Sequence, residues 1–111
     1  MNDQTYQLYR AALLALRRQV RVAHHLPGRI RLELHPEDAA SMAALLKNGT
    51  EGLAAARALL PGIRALKFNA LAGSAVLEYD YNLYPPQLVD AFFRATGAEQ
   101  AGDLLDRLAS Q

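Results

Sequence analysis

The chain has 111 residues, a formal net charge of +1, an apolar fraction of 51% and no cysteine. That length holds one hydrophobic core, and the missing thiols exclude disulfides, thiolate metal sites and cysteine nucleophiles. No apolar run reaches the roughly 18 residues of a membrane-spanning helix, and the N-terminus lacks the order of a secretory signal. The expectation is a soluble or peripheral, cytoplasmic protein.

The first predicted element is a helix capped by Asn2 or Asp3 and running to about Arg18. Tyr6, Tyr9, Leu13 and Leu16 recur at helical steps, with Leu8, Ala12 and Ala15 widening the apolar stripe. Val20, Val22 and His24 alternate with Arg21 and Ala23, which predicts a short strand. Pro27-Gly28 suits the centre of a type II turn. In the strand from Arg29 to His35, Ile30, Leu32 and Leu34 point one way and Arg29, Arg31, Glu33 and His35 the other. Whether the segment from His24 to Arg29 forms a hairpin or a bulged continuous strand stays open.

Pro36 ends that strand, and an Ala- and Leu-rich helix is predicted from Ala39 to about Leu46; Asn48-Gly49-Thr50 interrupts it, and Thr50 can cap a continuation to Leu60, giving one kinked helix or two. Ala65 to Asn69 reads as a strand with Leu66 and Phe68 inward. Ser74 to Tyr81 is its partner, with Ala75, Leu77 and Tyr79 on one face. Pro85-Pro86 opens a helix from Gln87 to Ala95 that would bury Leu88, Ala91 and Phe92 and end at Gly97. Leu104, Leu105 and Leu108 predict a further short helix between Ala98 and Ser110.

Charge is distributed unevenly. No acid occurs from Gln4 to Leu32, where Arg10, Arg17, Arg18, Arg21, Arg29 and Arg31 all fall. From Glu33 onward the acids number ten (eleven less Asp3) and the bases six (twelve less those six). Two readings stand: a basic front that attracts an anionic partner or its own acidic body in a dimer, and a solvated arginine face.

Leu60-Pro61-Gly62-Ile63, Lys67-Phe68-Asn69, Gly73, Glu78-Tyr79-Asp80 and Pro86-Gln87-Leu88-Val89 before Ala95-Thr96-Gly97 together resemble heavy-metal-associated domains. The likeness covers roughly Val22 to Gly97. The Leu26-to-Leu32 opening looks more like a cysteine-free subgroup, found alone or fused to P-type cation ATPases. The resemblance implies an α+β ferredoxin-like split βαβ sandwich, an antiparallel sheet with helices on one face. A single domain would comprise an N-terminal helix (1–19), the core (20–97) and a C-terminal helical segment (98–111). Metal-carrying members place CxxC between their first strand and helix; here that loop reads His35-Pro36-Glu37-Asp38-Ala39. The family's last strand should follow Gly97, where the sequence reads poorly as a strand. The sheet edge so exposed would be covered by Val20 to His24 or by the terminal helix, or by exchange between subunits, which makes a homodimer an expectation.

His24, His25 and His35, with Glu37 or Asp38, are the candidate metal ligands, a mixed N/O set suited to zinc, nickel or copper(II). His25 and His35 would approach each other if the Pro-Gly turn makes a hairpin; otherwise all three are surface or half-buried histidines. Haem ligation has less support, since no CxxCH motif is present. Arg29 and Arg31, with Arg17, Arg18 and Arg21, are candidates for binding an anionic partner or membrane; alternatively Arg29 and Arg31 pair with Glu78 or Asp80 across the sheet. The first helix packs on the domain or on a twin helix, or lies on an anionic membrane. No nucleophile elbow or phosphate-binding glycine loop is present, and the outer sheet face lacks the aromatics of an RNA-binding sheet. The expectation is a non-catalytic accessory or regulatory module in metal-ion handling, working with a P-type cation ATPase or another membrane protein. The alternative is a protein-interaction or dimerisation module with no metal.

Overall fold

A computed structural model describes residues 2–35, 40, 49–69 and 71–111. In chain order its elements are α1 (Asp3–Arg17), β1 (Val20–Leu26), β2 (Arg29–Leu34), α2 (Gly49–Leu59), β3 (Ile63–Asn69), β4 (Ser74–Tyr79), α3 (Pro86–Arg94) and α4 (Ala98–Ala109). The class is α+β. The strands form one antiparallel sheet in the order β1-β2-β4-β3.

Period-two alternation builds the two central strands. Ile30, Leu32 and Leu34 of β2 and Ala75, Leu77 and Tyr79 of β4 are buried on one face. Their register, Ile30 opposite Leu77 and Leu32 opposite Ala75, lines these side chains up in rows across the sheet. Val89 and Phe92 of α3, Leu105 and Leu108 of α4, and Leu13 of α1 belong to the same core cluster.

The two edge strands each carry one extra residue. In β1, Val22 pairs with Leu32 but His24 with Arg31, so Ala23 is bulged and the facing of the chain inverts beyond it. His25, not His24, therefore joins Val20 and Val22 on the inner face. In β3, Ile63 pairs with Tyr79 and Ala65 with Glu78, so Arg64 is bulged. The Arg57 guanidinium, at the end of α2, donates to the carbonyls of Ile63 and Arg64 and so ties that bulge to the helix.

β1 and β2 form a hairpin around Pro27-Gly28. Gly28 has φ +85°, the left-handed value that the third position of a type II turn demands. The sheet edge beside β2 is thus occupied by β1 of the same chain, and the segment after Gly97 is helical. Covering the edge in cis removes the need for exchange between subunits.

Other expectations shift locally. The predicted Ala39–Leu46 helix lies largely outside the described residues, as do Glu37 and Asp38. Val89 with Phe92, rather than Leu88 and Ala91, is the most buried part of α3. Gly97 has φ −117° and serves as the N-cap of α4, not as a left-handed end of α3. Leu8 is exposed, because α1 packs on both α2 and α4 through a narrower stripe centred on Leu13.

Two polar clamps fix α1. Asn2 caps it by accepting from the Thr5 amide at 2.8 Å. Asp106 of α4 accepts from the Tyr6 hydroxyl at 2.9 Å and from Arg10 through both carboxylate oxygens, at 2.9 and 3.2 Å. The Arg10 contact holds the Asp106 carboxyl below its usual range, aided by Tyr6. No helix among the described residues is long and apolar enough to cross a membrane.

Candidate functional site

The bulge at Ala23 aims His25 into a half-covered niche between β1, β4 and α3. Its side chain is 10% exposed. Nε2 lies 2.6 Å from the Tyr79 hydroxyl and Nδ1 lies 3.0 Å from Asp90 Oδ1. The other Asp90 oxygen accepts from Arg94 Nε at 2.8 Å, one helical turn along. Burial pushes the Tyr79 phenol above its ordinary range; the Gly28 amide opposes this and the Asp90 charge reinforces it. A carboxylate can only accept, so Nδ1–H donates to Asp90, and the role of Nε2 toward the Tyr79 hydroxyl follows from the tautomer of the ring. His25 is bonded through both ring nitrogens and Asp90 through both carboxylate oxygens, so the arrangement closes the hairpin end of β1 onto α3. Tyr79, only 2% exposed, does not present its oxygen to a solvent-borne substrate.

His35 sits at the other end of the hairpin. Its amide donates to the Gln19 carbonyl beside the start of β1, whereas His25 pairs with Ile30 near the turn. A hairpin does form, yet its antiparallel register separates the two histidines rather than joining them. His35 Nε2 lies 3.0 Å from Arg21 and 3.2 Å from Glu33 Oε2, and accepts from the first or donates to the second according to its tautomer. His24 is exposed on the opposite sheet face from His25. Among the described residues no group of three His, Asp or Glu side chains converges as a metal site would require.

The predicted anion-binding arginines also separate. Arg17 is buried, with Nε donating to the Phe92 carbonyl at 3.0 Å, a second nitrogen donating to Ala95 O, and its guanidinium 5.9 Å from the Phe92 ring centre. It closes the C-terminal end of α3, where carbonyls lack helical partners, and is withdrawn from any surface role. Burial, followed by the Arg18 charge, lowers its affinity for the proton. Arg18 is exposed, and Arg21 pairs with Glu33 at 3.1 Å.

Arg29 and Arg31 remain on the outer face of the sheet, exposed and in no ion pair among the described residues. Arg29 stands opposite Glu78 in register, but Glu78 contacts Lys67 instead, at 3.6 Å. The register sets His24, Arg31, Val76 and Lys67 in one row across all four strands. No acid lies in that row. The next row toward the turn reads Leu26, Arg29, Glu78 and Ala65.

Between the inner sheet face and the helices lies a wholly apolar cavity of about 50 Å³, bordered by Leu13, Leu32, Leu77 and Phe92. It is smaller than the roughly 150 Å³ that accommodates benzene, so it is a packing gap rather than a ligand chamber.

Sequence reasoning missed Asp90 and Tyr79 as partners of His25. The Asp90–Arg94 spacing of four is visible in the sequence; the bulge that brings His25 to Asp90 has no such signature. Comparison with family models, with curated proteins and with solved structures gave no match to this chain.

Proposed function

We propose that the protein is a non-catalytic interaction module that docks an anionic partner on the outer face of its sheet. The observation that carries this reading is the acid-free row from His24 through Arg31 to Lys67, flanked by Arg29, on a face that no described element covers. Arginines without an ion-pair partner among the described residues keep their hydrogen-bonding forks available to carboxylate or phosphate.

The same proposal takes the layout as ferredoxin-like, with β1 in the place of that fold's last strand. The order β1-β2-β4-β3, with α2 and α3 each following a central strand, supports it. An accessory role beside a cation-transporting ATPase is supported by the likeness of the Leu26-to-Leu32 and Leu60-to-Gly97 stretches alone. The geometry adds support to docking and none to a histidine metal centre, because both nitrogens of His25 are already engaged.

Isothermal calorimetry with polyglutamate tests the docking face. Binding is expected at low salt, weakened at least about tenfold by Arg29→Glu with Arg31→Glu and steeply by added salt. No binding, or binding indifferent to both arginines, contradicts the reading. Zinc heat that vanishes in His25→Ala with His35→Ala would restore the metal reading.

A further inference from the structure

The acid-free row lies beside the hairpin turn, and that turn is flanked by two exposed apolar side chains. Leu26 is 53% exposed and pairs with Arg29 on the outer face, two residues from His24. Tyr81 is 54% exposed and is held against the turn: a methyl group built at Gly28 would lie 3.2 Å from its Cδ1. The segment carrying Tyr81 is fixed by its own bonds. The Asn82 amide donates to Asp80 Oδ1 at 2.9 Å, and the Leu83 and Tyr84 amides donate to the Asp80 carbonyl. Tyr81 is therefore presented on a pinned turn, with little ordering entropy left to lose when a partner arrives.

We infer that this corner, formed by Leu26 and Tyr81, takes a single large apolar side chain of an extended acidic peptide whose carboxylates then run over Arg29 and Arg31 toward Lys67. This rests on the docking reading and specifies its partner. Three strand-to-strand steps of about 4.8 Å separate β1 from β3, which about four extended residues span at about 3.3 Å each. A short segment therefore reaches from the apolar corner to Lys67. A tyrosine beside two arginines also has the composition of a contact-energy centre, in which both residue types are enriched.

Other anionic polymers fit less well. Glu33 and Glu78 stand in the rows on either side of the acid-free one, so a flat anionic lipid surface meets both with repulsion, whereas a single extended chain following the acid-free row passes between them. A nucleic-acid strand stacks on several aromatics, and Tyr81 is the one aromatic in this corner. Addition of the peptide as a fifth strand is opposed by the bulges at Ala23 and Arg64 on the two edges.

Fluorescence anisotropy tests the proposal with two labelled peptides: one phenylalanine followed by five glutamates, and six glutamates. The phenylalanine peptide is expected to bind at least about fivefold tighter. Leu26→Ser with Tyr81→Ser should remove that advantage while leaving the glutamate-only peptide unchanged. Arg29→Glu with Arg31→Glu should weaken both peptides, and thermal melts, with Arg29→Gln and Arg31→Gln as milder variants, verify that the fold persists. Equal affinity of the two peptides overturns this inference and leaves the docking reading standing. Failure of both peptides overturns the docking reading itself. Arginine-dependent sedimentation with vesicles containing phosphatidylserine, without peptide binding, overturns the peptide in favour of a membrane.

Discussion

The two faces of one sheet differ in burial and in charge. On the inner face, Ile30, Leu32, Ala75 and Leu77 are buried in register beneath the layer of helices, of which α1, α2 and α3 pack on the strands. On the outer face, one residue away along the same strands, Arg29 and Arg31 stand in solvent without carboxylate partners among the described residues. Alternation along β2 writes both faces at once: each inward residue adds buried apolar area, and each outward one is free to vary with little effect on stability. Stability and the proposed docking are therefore separable by substitution, position by position.

The largest expected effect comes from breaking the inner face. Leu32→Ala removes a side chain 2% exposed, next to an existing cavity, and should destabilise by about 2–5 kcal/mol in chemical denaturation. Second is the point where the inner face reaches its polar end. His25→Ala leaves the Tyr79 phenol and the Asp90 carboxylate without their shared partner, costing about 1–3 kcal/mol. Its NMR signature should be broadening or shifts confined to the hairpin end of β1 and the facing turn of α3. A change spread evenly over the sheet would contradict the local role assigned to this chain of bonds.

A smaller effect concerns the clamp between α1 and α4. Because Arg10 depresses the Asp106 carboxyl, its contribution is complete above the ordinary carboxylate range near pH ~4 and is lost as pH falls through the depressed value. The pair is partly exposed, so the loss should be below about 1 kcal/mol. Asp106→Asn should remove that contribution at neutral pH and flatten the acid limb of the stability curve. Smallest of all is Arg29→Gln with Arg31→Gln, expected to shift stability within about ±0.5 kcal/mol. A strong destabilisation by that pair would erase the contrast between the faces.

The central strands were legible in the sequence because alternation and burial agree there: Ile30, Leu32 and Leu34 face inward as their spacing predicts. The turn at Pro27-Gly28 was legible for the same reason, since one glycine supplies the required positive φ. Edge strand β3 was legible too, with Leu66 and Phe68 inward as expected, but β1 beyond Val22 was not. A bulge leaves no compositional mark, so alternation placed His24 inward, whereas the register places His25 there. Arg17 was misassigned because a cation in a last helical turn looks alike whether it meets water or the carbonyl end of another helix. Covering of the open edge by Val20 to His24 was one of several options that the sequence left open, and pairing with β2 settles it. The loop from Pro36 to Ala39, where the resemblance would place metal chemistry, lies outside the described residues.

The separation of faces is tested most directly by a two-dimensional amide NMR titration of the whole chain with polyglutamate. The account predicts shifts clustered at His24, Arg29, Arg31 and Lys67, with the amides of α1 and α4 still. Shifts centred on Arg18 and α1, or none at all, would contradict it.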